Sequence, residues 1–289
     1  MSDPSTVDQL DAGDHACVTF SDGEERLDIV AAFVLDGLRS GQRVLCLTQA
    51  LAPDALSTAM HRRGLPVDRA ARHGQLTVLR SSEVFLAGGR FAADRTLAAL
   101  SAHIDQAERQ GYDGLRVASD MGWALGPVSG VERLMDYEGQ VGRLLADRRA
   151  TAVCQYDRNG FDPVSLAGVT AAHPRTVAAV VYHEDPVVRI CRQHVPPGVR
   201  LAGELDGSRI EPLRQALAEA LRLDGNVHLN MAQLRFIDAA AGGVIAQAAL
   251  SLPPARRMIV VCRPLARKVM LAQRADEIPQ LRLVVTDVE

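Results

Sequence analysis

Apolar and polar positions along the first two thirds of the chain follow two periods in turn. Short apolar runs predict buried strands, and longer stretches with apolar residues three or four positions apart predict helices between them. Strands that alternate with long helices form parallel β-α units, so we predict an α/β fold with an open parallel sheet covered on both faces. The predicted strands are 18–20, 44–48, 75–79, 115–119, 150–156 and an edge strand at 177–182, and the predicted helices are 23–38, 53–63, 94–110 and 131–148.

A second strand–helix pattern begins after a segment with three prolines at 186–198. Its strands are predicted at 199–203, 226–230, 258–262 and 281–285, and its helices at 210–221, 239–252 and 265–275. The pattern spans about 90 residues, which is enough for a small α/β domain. We therefore predict a first domain at 11–185, a linker at 186–198 and a second domain at 199–289.

Length and charge limit the classes of function. A chain of 289 residues fits two domains at roughly 150 residues each. The net charge is −3, with 32 basic and 35 acidic residues well mixed, so nucleic-acid binding or binding to a membrane surface has no electrostatic support. No apolar run reaches the roughly 18 residues of a membrane span. The polar, acidic start and five scattered cysteines favour a reducing cytoplasm.

The first predicted strand does not lead into a phosphate-binding loop. Nucleotide-binding loops of the form G-x-x-x-x-G-K-[ST] surround phosphates with backbone N–H groups and add a lysine. Residues 19–26 read T-F-S-D-G-E-E-R, with one glycine, no lysine and three acidic side chains. Asp120 follows the strand at 115–119, at the position where an ATPase would have its Walker B acidic residue. No nucleophile–base pair or carboxylate dyad is visible, so we predict that the protein is not an enzyme.

Several side chains near predicted strand ends are candidates for binding a ligand, because sites in open α/β sheets lie beyond the carboxyl ends of strands. The candidates are His15, Cys17, Asp120, Trp123, Tyr137, Glu138, Cys154, Tyr156 and His173.

Each candidate has a plainer interpretation. His15 and Cys17 could start a metal site with Cys154 or His173, but the paired spacing of structural zinc sites is missing, so no metal or cofactor is predicted. Cys154 lies in an apolar strand and fits a core position. Trp123 fits core packing, and the Tyr137–Glu138 pair on its helix fits a solvent-facing position.

In the second domain, Asp238 stands at the predicted N-cap of helix 239–252. A helix start offers free backbone N–H groups to a phosphate or a partner carboxylate. The alternative is that Asp238 only caps its helix.

The residues of the second domain resemble the STAS domains of anti-sigma factor antagonists. Residues 201–206 read L-A-G-E-L-D and residues 236–238 read F-I-D, in the places where that family has its opening strand and its switch turn. The resemblance covers 199–289 and implies an anti-sigma factor with a histidine-kinase-like ATPase domain as partner. It places the partner-binding surface at Asp206, Asp238, Ala239 and Ala240. Ala239 stands where the family usually has a phosphorylated Ser or Thr, so the usual covalent switch is absent.

The first domain resembles the MEDS domain, the methanogen/methylotroph DcmR sensory domain. The motifs are G-D-H-A-C-V-T-F at 13–20, M-G-W at 121–123, C-Q-Y-D at 154–157 and H-P at 173–174, and the similarity runs from residue 11 to residue 182. Such domains look related to RecA-like ATPases but serve as sensors. The resemblance therefore implies a RecA-like parallel sheet and an unidentified, organic or hydrophobic small ligand.

These observations lead to two main hypotheses. In the first, a MEDS-like sensor controls a STAS-like module that binds an anti-sigma factor. In the second, the chain is a degenerate RecA-like ATPase or hydrolase with a STAS interaction module. A scaffold without any ligand is a weaker third hypothesis, and homo-oligomerisation is left open.

Overall fold

The computed structural model describes residues 5–146 and 149–286. The chain divides into two compact units, with the boundary between Ala178 and Ala179. Among the helices of the described residues, none is both long and apolar enough to cross a bilayer.

The first unit contains a six-stranded sheet in the order β3-β2-β4-β5-β1-β6, and all of its strand pairs are parallel. The α/β class predicted from the sequence is therefore confirmed for this unit. Its strands are β1 (His15–Phe20), β2 (Arg43–Thr48), β3 (Leu76–Arg80), β4 (Leu115–Asp120), β5 (Ala150–Asp157) and β6 (Arg175–Val177).

Helices connect these strands. They are α1 (Gly23–Arg39), α2 (Pro53–Arg62), α3 (Val67–Arg72), α4 (Ser81–Phe85), α5 (Ala93–Arg109), α6 (Leu134–Ala146) and α7 (Pro163–Ala172). Helix α1 begins where the Asp22 carboxylate accepts hydrogen bonds from the backbone N–H groups of Glu24 and Glu25, at 2.8 and 3.0 Å. It ends before Gly41, whose φ of 68° is in the left-handed region that favours glycine.

One large core lies on a single face of this sheet. Side chains alternate between the two faces of a strand, so the odd-numbered residues of β1 and the even-numbered residues of β5 share a face. Helices α5, α6 and α7 cover that face with apolar side chains, including Leu100, Val141 and Val169. The candidate site of this unit lies within this core.

The second unit contains another six-stranded sheet, in the order β12-β11-β10-β9-β8-β7. Strands β9 to β12 pair in parallel, whereas β7, β8 and β9 pair antiparallel. The elements are β7 (Val181–Glu184), β8 (Val188–Gln193), β9 (Gly198–Leu205), α8 (Ile210–Leu223), β10 (Val227–Ile237), α9 (Ala239–Leu250), β11 (Met258–Cys262), α10 (Pro264–Ala272) and β12 (Leu281–Val285).

The structure differs from the predicted linker at 186–198 and from the predicted edge strand at 177–182. Strand β8 lies inside the predicted linker and is hydrogen-bonded on both sides, to β7 and to β9. Its Val188 and Ile190 are fully buried in the core of the second unit. The prolines that suggested a linker flank this strand and do not interrupt it. Residues 181–184 belong to the second sheet, and the edge strand of the first sheet is the shorter β6.

Candidate functional site

Four polar side chains meet inside the core of the first unit, and we call them the buried cluster: His15, Glu138, Cys154 and His173. They come from β1, from α6, from β5 and from the residue that ends α7. All four are buried, and their nitrogen, oxygen and sulfur donor atoms lie within 4.8 Å of one another. Buried polar groups are costly unless they are paired, so such a group within a core points to a specific role.

The fold brings these residues together through two regular patterns. Strands β1 and β5 are parallel neighbours, with Cys17 level with Cys154, so His15 and Cys154 face the same helical layer. Helix α6 places Leu134, Glu138, Val141 and Leu145 on its buried side, at spacings of three and four residues. Glu138 is therefore a carboxylate within an otherwise apolar stripe that points at the sheet.

Glu138 is the centre of the buried cluster. Its Oε2 lies 3.2 Å from His15 Nε2 and 3.5 Å from His173 Nε2, and the Cys154 thiol donates to it at 3.7 Å. Cys154 Sγ also lies 3.5 Å from His15 Nε2. The other carboxylate oxygen, Oε1, accepts a short hydrogen bond from the Tyr156 hydroxyl. The two imidazole rings are in contact, with centroids 4.1 Å apart.

Protonation in this site is set by burial and by the Glu138 charge. Burial raises the pKa of the Glu138 carboxyl, but the hydrogen bond from His15 and the neighbouring His173 outweigh it, so the pKa is lowered. Burial lowers the pKa of His173 to about 4, although Glu138 opposes this. Burial and the Glu138 charge raise the pKa values of Cys154 and Tyr156 well above their usual range. At neutral pH the cluster thus holds a carboxylate beside a neutral His173 and a thiol.

Two ring nitrogens of the buried cluster lack hydrogen-bond partners among the described residues, His15 Nδ1 and His173 Nε2. The other nitrogen of His173, Nδ1, lies 2.8 Å from the carbonyl oxygen of Val169. Because a carbonyl oxygen only accepts, Nδ1 carries the proton and the lone pair of Nε2 faces Glu138.

The remaining candidates of the first unit lie outside this set of four. Cys17 is buried beside it, with its sulfur 3.8 Å from the Thr176 hydroxyl. Trp123 stacks on Phe85 with ring centroids 4.8 Å apart, and Tyr137 meets Phe85 edge-on at 6.0 Å. Tyr137 and Glu138 are both buried, so a solvent-facing position for this pair is wrong. The apolar spacing of α6 is the sequence signal that would have placed Glu138 inside.

Asp120 forms a separate polar site at the end of β4. Its carboxylate accepts from the backbone N–H groups of Gln49, Ala50 and Gly122, at distances of 3.0, 2.8 and 2.9 Å. It also pairs with the buried Arg26 at 3.0 Å, and Arg26 donates to Gln155 at 2.7 Å. Sequence reasoning missed Arg26 as a buried partner, because a charged residue in the first turn of a helix normally faces water.

A surface cleft of about 580 Å³ opens where β4 and β5 end. Sites in α/β sheets lie at this edge. Its walls are mostly apolar, and Leu125 is 46% exposed. The lining includes Leu125, Val131, Met135, Phe161, Val164 and Val169. The cleft and the buried cluster share a residue. Val169 lines the cleft, and its carbonyl oxygen lies 2.8 Å from Nδ1 of His173.

In the second unit, the start of α9 is joined to the turn after β9. The Asp238 carboxylate accepts from Ala241 N at 2.8 Å and from Gly207 N at 2.7 Å. Asp238 thus caps α9 and also connects the start of this helix to the turn after β9 through hydrogen bonds. Ala239 and Ala240 are exposed, and Phe236 beside them is 47% exposed. Asp206 caps its own turn by accepting from Ser208 N at 3.0 Å.

Comparisons with known proteins add a family and two structures. A family model described as "MEthanogen/methylotroph, DcmR Sensory domain", MEDS, matches residues 14–174, which is more than half of the chain. No curated protein sequence matches.

Among solved structures, a KaiC-like protein from the hyperthermophilic archaeon Pyrococcus horikoshii OT3 is similar, with a TM-score of 0.47 and 12% identity over 66% of this chain and 79% of the other. The flagellar accessory protein FlaH from Methanocaldococcus jannaschii has a TM-score of 0.45 and 10% identity, over 63% and 78%. Both TM-scores are below 0.5, and we draw nothing from them.

Proposed function

Because the chain belongs to the MEDS family, we propose that it is a regulatory signalling protein without enzymatic activity. Its first unit is the sensor. Its second unit is a STAS-type output that binds the histidine-kinase-like domain of an anti-sigma factor. Ligand binding to the sensor regulates this output, and phosphorylation of the output does not.

The observation that carries the output half of this proposal is the exposed helix start at Asp238. A surface that binds a partner needs accessible apolar contact area and a fixed backbone. Phe236, Ala239 and Ala240 supply exposed apolar atoms, and the bonds from Gly207 and Ala241 to Asp238 hold their loops in place. An alanine at 239 has no hydroxyl, so this surface cannot be switched by esterification with phosphate at that position.

The proposal that the first unit is not an ATPase is supported by the contacts at the start of α1. In a nucleotide-binding loop, the N–H groups at a helix start bind phosphate oxygens. Here the Asp22 carboxylate accepts two of those N–H groups, and its negative charge repels a phosphate. Asp120 is held by Arg26 and three backbone N–H groups. ATP hydrolysis by the pure chain that is lost in Asp120→Asn would contradict this.

The apolar cleft at the ends of β4 and β5 supports a small, mainly apolar ligand. Binding pockets for small molecules are concave, mostly apolar, and about 300–1,000 Å³ in volume, and this cleft has about 580 Å³. A ligand there would contact α6 and α7 through Met135 and Val169. Its effect on the output would be limited by the difference between its affinities for two conformational states of the chain.

Co-purification with the histidine-kinase-like domain of an anti-sigma factor from the same organism tests the output. We expect Ala240→Arg to reduce binding at least about tenfold, since it places a charge in the centre of the proposed interface. Gln247→Arg is the matched control, because it adds the same charge at an exposed position two turns later on α9. Equal binding by both variants, or no binding by the unmodified chain to any such domain, would overturn the proposed partner surface.

A further inference from the structure

We propose that the buried cluster of the first unit is a zinc site, with His15 Nε2, Glu138 Oε2, Cys154 Sγ and His173 Nε2 as the four ligands. This inference does not depend on the proposed partner of the second unit. It rests on the geometry of the four donor atoms, on an unpaired nitrogen and on charge balance.

Four of the six distances between donors lie near the edge length of a zinc tetrahedron. With zinc–nitrogen and zinc–oxygen bonds near 2.0–2.2 Å and zinc–sulfur near 2.3 Å, donors lie about 3.3–3.7 Å apart. The observed pairs are His15–Glu138 at 3.2 Å, His173–Glu138 and His15–Cys154 at 3.5 Å, and Cys154–Glu138 at 3.7 Å. Four donors from four separate elements therefore lie within 4.8 Å of one another, close enough for small side-chain shifts to bring them around one ion.

The unpaired nitrogen of His173 is the second observation. Its Nε2 is fully buried and has no hydrogen-bond partner among the described residues. Its Nδ1 is fixed by the Val169 carbonyl at 2.8 Å, so Nε2 presents a lone pair to the cluster. Ligating histidines usually donate their other N–H to a carbonyl or carboxylate in this manner. A bound cation at the centre would satisfy this lone pair, which no described residue meets with a donor.

Charge balance favours a divalent ion. Glu138 contributes one negative charge, and Cys154 contributes a second when it binds as a thiolate and releases its proton to solvent. Two neutral imidazoles add none, provided that the His15 proton moves from Nε2, which donates to Glu138 in the metal-free chain, to Nδ1. A 2+ ion then leaves a neutral group inside the core. The Tyr156 hydroxyl donates to Oε1 of Glu138, which leaves Oε2 for the metal.

The chemistry of the donors selects the ion. A thiolate with two imidazoles suits zinc, whereas magnesium and calcium prefer sets made only of oxygen. All four positions are filled by the protein, which is typical of zinc sites that stabilise a fold. Metal binding would therefore join β1, β5, α6 and the end of α7.

The experiment uses the full chain, first freed of metal with a chelator and then incubated with zinc or with cobalt. We expect one zinc per chain by elemental analysis, a higher melting temperature, and a thiolate-to-metal absorption band in the cobalt form. Cys154→Ala should remove that band and weaken zinc binding at least about 100-fold. Cys46→Ala is the matched control, since Cys46 is equally buried, in β2, but outside the cluster.

Less than about 0.1 zinc per chain in the unmodified protein after incubation with ZnCl₂ would overturn the proposal. A cobalt band that survives in Cys154→Ala would do the same. If Cys154→Ala does not fold, the metal content and cobalt spectrum of the unmodified chain and of Cys46→Ala still decide the matter.

Discussion

At the scale of single residues, Glu138 contacts every other polar side chain of the buried cluster. Its Oε2 lies 3.2 Å from His15 Nε2 and 3.5 Å from His173 Nε2, and the carboxylate accepts from the Cys154 thiol and the Tyr156 hydroxyl. A carboxylate that is 0% exposed is tolerated only because these donors replace water. Its removal would leave several buried donors without an acceptor.

We therefore expect Glu138→Ala to destabilise the metal-free first unit by at least about 2 kcal/mol, because several buried donors lose their acceptor at a cost of about 1–3 kcal/mol each. Asp136→Ala, at an exposed position on the same helix, should cost no more than about 0.5 kcal/mol. Urea unfolding followed by the fluorescence of Trp123 measures this, because Trp123 is the only tryptophan and lies in the first unit. A loss under about 1 kcal/mol for Glu138→Ala would contradict the role given to this carboxylate.

At the scale of elements, the period and length of apolar segments correctly predict the strands and helices whose buried side chains are regularly spaced. The predicted strand at 150–156 corresponds to β5, and the predicted helix at 94–110 corresponds to α5. The prediction fails around 186–198 because proline there marks the two ends of a strand. A proline before or after a strand does not remove a ladder hydrogen bond, so its presence alone does not identify a linker.

Only part of the buried cluster could be predicted from the sequence. His15 and Cys154 are on neighbouring strands, and their shared face follows from strand alternation once the strand order is known. The apolar spacing of α6 turns Glu138 inward, but Glu138 and His173 reach the same point only through the packing of α6 and α7. The alignment of four donors is therefore a property of the tertiary fold.

The turn between β7 and β8 gives a prediction about pH. Asp185 accepts from the backbone N–H groups of Val187 and Val188, and it faces Arg209 and His183. These donors lower the pKa of Asp185 well below its usual value. A lowered folded-state pKa means that the stabilisation is present above the unfolded-state pKa, about 3.9, and is lost as pH falls further.

Asp185→Asn should therefore speed hydrogen exchange in the peptide 181–205 at pH 6, and this difference from the unmodified chain should shrink toward pH 3. Asp276→Asn, at an exposed position of the same unit, should change exchange in that peptide at neither pH. A difference for Asp185→Asn that grows with acid would reverse the sign and contradict the assigned role of the carboxylate.

At the scale of the whole molecule, the chain joins a MEDS unit to a second α/β unit with its own sheet and core. In our account, phosphate chemistry is absent from both. In the first unit, the Asp22 carboxylate occupies the helix start where a nucleotide-binding loop would hold phosphate. In the second, the proposed STAS surface has Ala239 at the position that a phosphorylated side chain would take. In this account, the output is regulated by ligands that bind the chain. The size of the effect is limited by the difference in their affinity for the two states of the chain.

The most direct test of this claim is the affinity of the full chain for the histidine-kinase-like domain of the anti-sigma factor that we propose as its partner, measured before and after incubation with ATP and Mg²⁺. The account predicts that ATP leaves the affinity of the unmodified chain unchanged. It predicts that Ala239→Ser binds equally well without ATP, then becomes phosphorylated and loses at least about tenfold in affinity, because a charge of nearly −2 enters the interface. An Ala239→Ser variant that binds the kinase domain but is never phosphorylated by it would contradict the account.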